Sequence, residues 1–152
     1  MKNLKLAVGV LLLALTTGSG VAQEVVGALS TAEHAEEGEY LVGPDGFALY
    51  LFKADQQGTG GTAAASVCEG DCLATWPALL TVGEPPPTSG AVQAALVGTI
   101  PRSDGTVQVT YNGWPLYFFA EDIQPGDING HDIESFGEDW YLIGPNGDRA
   151  RD

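Results

Sequence analysis

The chain has 152 residues, 44% hydrophobic and 17% charged, with 20 acidic against 6 basic side chains and a formal charge of −14. That length predicts one domain, and the acidity argues against nonspecific binding to nucleic acid or anionic lipid, where basic side chains must replace counterions. A 9% aromatic content argues against disorder, and 21 Gly with 9 Pro predict a turn-rich, mainly β protein.

Residues 1–22 carry the three parts of a cleavable secretion signal: Lys2 and Lys5, an apolar run over 6–15, and small residues ending at Ala22. Ten helical residues rise only about 15 Å, half a bilayer core, so no membrane span is expected in the mature chain. Residues 23–38 hold Glu24, Glu33, Glu36, Glu37 and His34 but no aromatic, and read as an acidic, mobile leader. The domain proper is expected over 39–152.

Within it, residues 46–55 (GFALYLFKAD) and 113–122 (GWPLYFFAED) align without gaps, 67 residues apart. Each copy opens on a turn dipeptide, Asp45-Gly46 or Asn112-Gly113, after a strand-like run over 40–43 or 106–111. Such dipeptides take the positive φ angles of tight hairpins, so each copy predicts a β-hairpin. Between the copies, 63–75 reads as a loop with a helical turn around Cys72, and 81–90 as a Pro-rich connector. Residues 91–98 read as one or two helical turns and 97–101 as a short strand. A third fragment, 141–147 (YLIGPNG), repeats 40–46 (YLVGPDG) and is expected to lie beside the first strand. The fold class is therefore a small, single, mainly β domain of two pseudo-repeated β-hairpins with short helical turns.

On a strand, Tyr50 and Phe52 face one side while Leu49 and Leu51 face the other, as do Tyr117 and Phe119 against Leu116 and Phe118. Strands apolar on both faces are sandwiched, so these aromatics are expected in the core, each tyrosine bonded to its own motif's aspartate or a backbone carbonyl. Asp55 and Asp122 follow where each strand ends, fit to accept backbone N–H groups; an acid/base pair of the two is the rival reading.

Cys68 and Cys72, a pair in an exported chain, predict a disulfide; a thiol pair for redox or metal exchange is the alternative. The loop around His131 is rich in oxygen ligands, and Asp127, Asn129, His131 and Asp132 are weak candidates for a divalent ion. Pro125 and Phe136 stand where a full calcium loop needs acids, which favours a plain turn. No serine-hydrolase elbow, zinc-protease or phosphate-loop motif occurs.

Tyr50, Phe52 and Asp55, then Tyr117, Phe119 and Asp122, spell Y-x-F-x-x-D twice. With Cys68, Cys72, Trp76-Pro77 and the phrase TYNGWPLYFF, the chain closely resembles a bacterial family of secreted-repeat or predicted lipoproteins known for a Y-x-[FWY]-x-x-D motif. The resemblance spans roughly residues 39–147, and the family's function is largely unknown. The signal region lacks the cysteine that a lipid anchor requires. These residues together predict an exported, periplasmic or secreted, non-catalytic envelope module, binding or structural, without a cofactor, whose partner is an envelope protein or a small ligand. The alternative is an envelope redox or metal-handling protein built on Cys68 and Cys72.

Overall fold

The computed structural model describes residues 27–151; the expected signal peptide lies outside them. In chain order the strands are β1 (Ser30–His34), β2 (Gly38–Val42), β3 (Tyr50–Phe52), β4 (Leu80–Thr81), β5 (Val97–Pro101), β6 (Val107–Tyr111), β7 (Trp114–Pro115), β8 (Ile133–Ser135) and β9 (Glu138–Leu142). One helix, α1 (Asp71–Thr75), holds Cys72, and a 3-10 turn, Ala94–Leu96, leads into β5. The chain is thus mainly β, with the short helical turns and the 97–101 strand where the sequence places them.

Three antiparallel sheets make up the domain: β1-β2, β3-β9-β8, and β4-β6-β5 with β7 also on β6. The first hairpin pairs Ser30 with Val42 and His34 with Gly38; the third sheet repeats the antiparallel pairing, Val97 with Tyr111 and Pro101 with Val107, around a longer turn. The repeat therefore begins at β1 and β5, upstream of the motif, although these two strands share no residue identity. This corrects the assignment of 23–38 as a mobile leader, because residues 30–38 are a paired strand and its turn. The acids mislead for a physical reason. Glu33 and Glu39 face each other on the exposed side of the pair, while Ala32 and Tyr40 face inward. An alternating half-buried strand shows water a charged face.

The two motif hairpins turn differently. Asn112 and Gly113 both have positive φ, 47° and 78°, as a two-residue type I′ turn requires. Asp45 does not; only Gly46 does, at 85°, and its N–H donates to the Gly43 carbonyl. Pro44 accounts for the change, since its fixed φ suits the second position of a type I turn, leaving the left-handed position to the glycine. The 144–148 turn copies this one, Gly144 N–H to Asp148 O at 2.8 Å matching Gly43 N–H to Phe47 O at 2.9 Å.

The motif strands cross the middle of the molecule and serve two cores. Tyr50, Phe52, Tyr117 and Phe119 enter one cluster, with Trp76, Trp140 and the two cysteines. Leu49, Leu51, Leu116 and Phe118 enter the other, with Leu41, Val109, Tyr111 and Ile143. Period-two alternation thus sorts adjacent residues into separate cores. The last strand pairs with the motif strand, Tyr50 opposite Leu142, and only its end meets the first hairpin, where Leu41 N–H donates to Ile143 O at 2.8 Å. In the second copy the equivalent segment is not a continuous strand; Tyr117 makes single bridges to Tyr50 and Ala78.

Candidate functional site

The motif residues converge at the centre of the domain. Tyr50 and Tyr117 face each other across a two-way backbone bridge, N–H to O at 2.9 and 3.1 Å. Both rings are fully buried. Each hydroxyl donates to the aspartate of the other repeat: Tyr50 to Asp122 Oδ2 and Tyr117 to Asp55 Oδ2, both at 2.6 Å. This exchange corrects the expectation that each tyrosine would bond its own motif's aspartate. Where two equivalent strands cross antiparallel at the tyrosine, each motif's aspartate, five residues on, lies toward the partner strand's start.

The second oxygen of each carboxylate is also engaged. Asp55 Oδ1 accepts the Val67 N–H at 2.8 Å, and Asp122 Oδ1 accepts the Asn129 N–H at 2.9 Å. The aspartates do accept backbone N–H groups as expected, but they fasten a returning loop to the core rather than their own turn. All four carboxylate oxygens carry a donor, and Asp55 and Asp122 are 6% and 7% exposed. Burial pushes the Asp55 carboxyl up to about 6, against the pull of the Tyr117 hydroxyl, the Val67 N–H and Arg102. Burial raises Asp122 as well, opposed by Tyr50 and Asn129. Both phenols are held well above the ordinary tyrosine value, by burial first and then by the aspartate each one faces.

Around the exchange lies a stack of four rings. Phe52 stacks on Trp140 at 4.0 Å, Trp140 on Trp76 at 3.8 Å, and Trp76 on Phe119 at 4.2 Å between centroids. Tyr50 meets Trp76 edge-on at 5.5 Å, and Tyr117 meets Trp140 edge-on at 5.1 Å. The two tryptophans occupy equivalent places, each two residues before the partner of a motif tyrosine, Trp140 before Leu142 opposite Tyr50 and Trp76 before Ala78 opposite Tyr117. Such ring pairs add about 0.5–1.5 kcal/mol each beyond the area they bury. Gly130 closes the stack: a Cβ there would lie 2.8 Å from two Trp76 ring atoms and 3.0 Å from Tyr50 Cζ.

The two halves differ outside this centre. The Tyr117–Asp55 pair continues through Ser66 to Arg102, with Ser66 Oγ 2.6 Å from the Tyr117 hydroxyl and 3.0 Å from Arg102 Nη1. Arg102 only donates and Ser66 also accepts the Cys68 N–H, so the Ser66 proton points to Tyr117 and the Tyr117 proton to Asp55. Arg102 is held by Gln108 Oε1 at 2.6 Å and the Cys68 carbonyl at 2.7 Å. On the other side the Tyr50 hydroxyl receives the Gly130 N–H at 3.3 Å instead.

Cys68 and Cys72 form a disulfide, with both residues in the aromatic core. Three of the four residues weighed as ion ligands, Asp127, Asn129 and His131, are put to other use. Asp127 Oδ2 accepts the N–H groups of Ile123 and Gln124, and Asn129 serves Asp122 through its N–H and its amide. His131 Nδ1 accepts the Leu142 N–H at 3.0 Å, so Nε2 carries the proton and faces Glu37 Oε2 at 3.0 Å. Asp132 is exposed with a φ of 55°. Among the described residues no three His, Cys, Asp or Glu side chains gather as an ion site, and none of their helices is long and apolar enough to cross a membrane.

Sequence reasoning missed the tryptophan pair, the Arg102–Ser66 extension and the role of Gly130. A signal existed for the first: Trp76 and Trp140 are each followed three residues later by an aliphatic residue, Leu79 and Ile143, whose backbone N–H donates to the carbonyl of an equivalent leucine, Leu116 and Leu49. Comparison with known proteins finds the same duplication. A family model described as a secreted repeat of unknown function matches twice, over residues 31–80 and 98–143. The matches begin within β1 and β5 and end just past Trp76 and Trp140, the units that the geometry defines. No curated protein and no solved structure matches the chain significantly. With two matched repeats that account for most of its length, the chain belongs to this family of secreted repeats.

Proposed function

We propose that the protein is an exported, non-catalytic module of the cell envelope, periplasmic or secreted, that acts by binding an envelope protein or a small ligand. One observation carries this reading. The residues that define the repeat are spent on the scaffold itself, with both tyrosines and both aspartates buried and satisfied by each other. A general acid or base must reach a substrate proton, and these carboxylates are taken up by the tyrosine hydroxyls, backbone N–H groups and the Asn129 amide. Buried side-chain polar atoms among the described residues all have partners, so none is left aimed at a reacting group. The redox or metal-handling alternative needs accessible thiols, whereas Cys68 and Cys72 are 0% and 5% exposed and paired.

Native mass spectrometry of the protein recovered from the compartment that receives it tests this. The expected result is a chain cleaved after Ala22, with the mass of a disulfide and with a retained ligand or partner. Two titratable thiols or a stoichiometric metal would replace this reading with the redox or metal one. Substrate turnover that survives purification to homogeneity would replace it with an enzyme.

A further inference from the structure

The hairpin that joins β8 to β9 turns at Phe136 and Gly137, both with positive φ, 58° and 93°, between the paired residues Ser135 and Glu138. This is the two-residue turn that Asn112 and Gly113 also make, and its first position favours Asn, Asp or Gly. A phenylalanine is out of place there, because its Cβ crowds the backbone in the left-handed region. The ring gains nothing from the fold in return. It is 49% exposed and belongs to neither core cluster. Backbone strain of this kind persists where the surroundings impose it, and it collects at sites of function.

What imposes it here is the ring stack. Both tryptophans donate their indole N–H to the residue before Phe136, Trp140 to the Ser135 carbonyl at 2.8 Å and Trp76 to Ser135 Oγ at 3.4 Å. The exposed ring is thus mounted on the buried stack, and little chain freedom is left to lose when a partner covers it. Glu134 and Glu138 flank it, both exposed and without a hydrogen bond or ion pair to any described residue. The internal repeat supplies a comparison. Phe136 stands four residues before Trp140 as Cys72 stands four before Trp76, and there the chain forms α1 and the disulfide instead. The scaffold is duplicated, but the exposed aromatic tip is made once. A feature that a duplicated framework builds on one side only is not needed to hold that framework together.

We infer that the Phe136 hairpin docks on a partner protein, its ring filling an apolar pocket whose rim carries lysine or arginine. A rigidly held aromatic side chain is the common anchor of a protein interface, and the two unpaired carboxylates beside it select a cationic rim by charge complementarity. The same carboxylates disfavour anionic lipid and a second copy of this chain, whose net charge is −14. The assignment rests on the reading of the protein as a binding module, and names its contact surface and the kind of partner.

The test passes envelope extract from cells that make the protein over the immobilised, disulfide-bonded chain. Phe136→Asn, the double variant Glu134→Gln with Glu138→Gln, and Val82→Asn, a 74% exposed apolar residue of the connector, run in parallel. Retained proteins are identified by mass, purified and titrated against each chain. One protein should bind the parent and Val82→Asn alike, and Phe136→Asn at least about tenfold more weakly. It should bind the double variant more weakly at low ionic strength and like the parent at high. Its binding should shift the indole N–H resonances of Trp76 and Trp140, which end on Ser135. Phe136→Asn should itself melt about 3 °C above the parent, because the left-handed strain is relieved. Equal binding to Phe136→Asn, an equal loss in Val82→Asn, a lower melting temperature for Phe136→Asn, or no retained protein each overturns the assignment. The module reading survives such a failure if native mass spectrometry still finds a retained ligand or partner, and falls with it if neither is found.

Discussion

At the residue scale, the Tyr–Asp exchange sets what single substitutions should cost. Tyr50→Phe removes the donor from Asp122 Oδ2, a nearly buried oxygen, so the loss should be about 1–3 kcal/mol rather than that of one exposed bond. The sharper check is a double-mutant cycle by urea unfolding. Tyr50→Phe with Asp122→Asn should show a coupling of about 1–2 kcal/mol, and Tyr50→Phe with Asp55→Asn should be additive within about 0.5 kcal/mol. The reverse pattern would mean that each motif closes on itself. The same carboxylates make stability depend on pH. The Asp55 carboxyl sits at about 6 in the folded chain against an ordinary 3.8, so the unfolded chain releases this proton first as pH rises. Its contribution is therefore greatest below about pH 4, declines between about pH 4 and 6, and is flat above. A shift of this size corresponds to about 3 kcal/mol across the window. Asp55→Asn should flatten that part of the profile, and denaturation curves at several pH values would show whether it does.

At the element scale, the loop after the second motif matters as much as the strands. Asn129 and Gly130 bring their N–H groups to Asp122 and Tyr50, and the bare Gly130 Cα lets this loop lie against the ring stack. Gly130→Ala would press a methyl on Trp76 and Tyr50, two rings that their neighbours hold in place. It should cost about 1–3 kcal/mol, the usual penalty for overpacking, and should weaken the near-ultraviolet dichroism of the tryptophan stack. Gly61→Ala, with open space around it, should stay within about 0.5 kcal/mol of the parent. Equal melting temperatures for the two variants would show that the loop yields and that the close approach is incidental.

At the scale of the whole molecule, neither repeat is complete alone. Each tyrosine finds its acceptor in the other repeat, and the four-ring stack alternates in origin, with Phe52 on Trp140 and Phe119 on Trp76. β9 of the second repeat pairs with β3 of the first. Splitting the chain in the connector, into 27–88 and 89–151, should leave two pieces that are unfolded by circular dichroism when separate. An equimolar mixture should regain the strand signal, while the intact chain should melt in one transition. A folded isolated half would contradict this interlocking. The cysteine bridge contributes little to it, since it closes a short loop within one repeat.

What the sequence by itself determined was local. Asp45-Gly46 and Asn112-Gly113 announce turns because few residues accept positive φ, although Pro44 decides which type forms. The alternation of Leu49, Tyr50, Leu51 and Phe52 announces a strand buried on both sides, because a strand sends neighbours to opposite faces. Duplication of the motif was also legible, since it rests on identities at a fixed separation. Pairing between distant segments was not. β1 and β5 are equivalent without a shared residue, because a half-buried edge strand asks only for alternation. The partner of each tyrosine followed from how two like strands cross, and crossing is set by the whole packing rather than by spacing along the chain. The cleft that Lys53, Trp114, Tyr141, Asp148 and Arg149 line likewise exists only in three dimensions, where distant segments meet. Electrostatic and hydrogen-bond partners act over a few ångströms of space, and sequence separation carries no measure of that distance until the chain has folded.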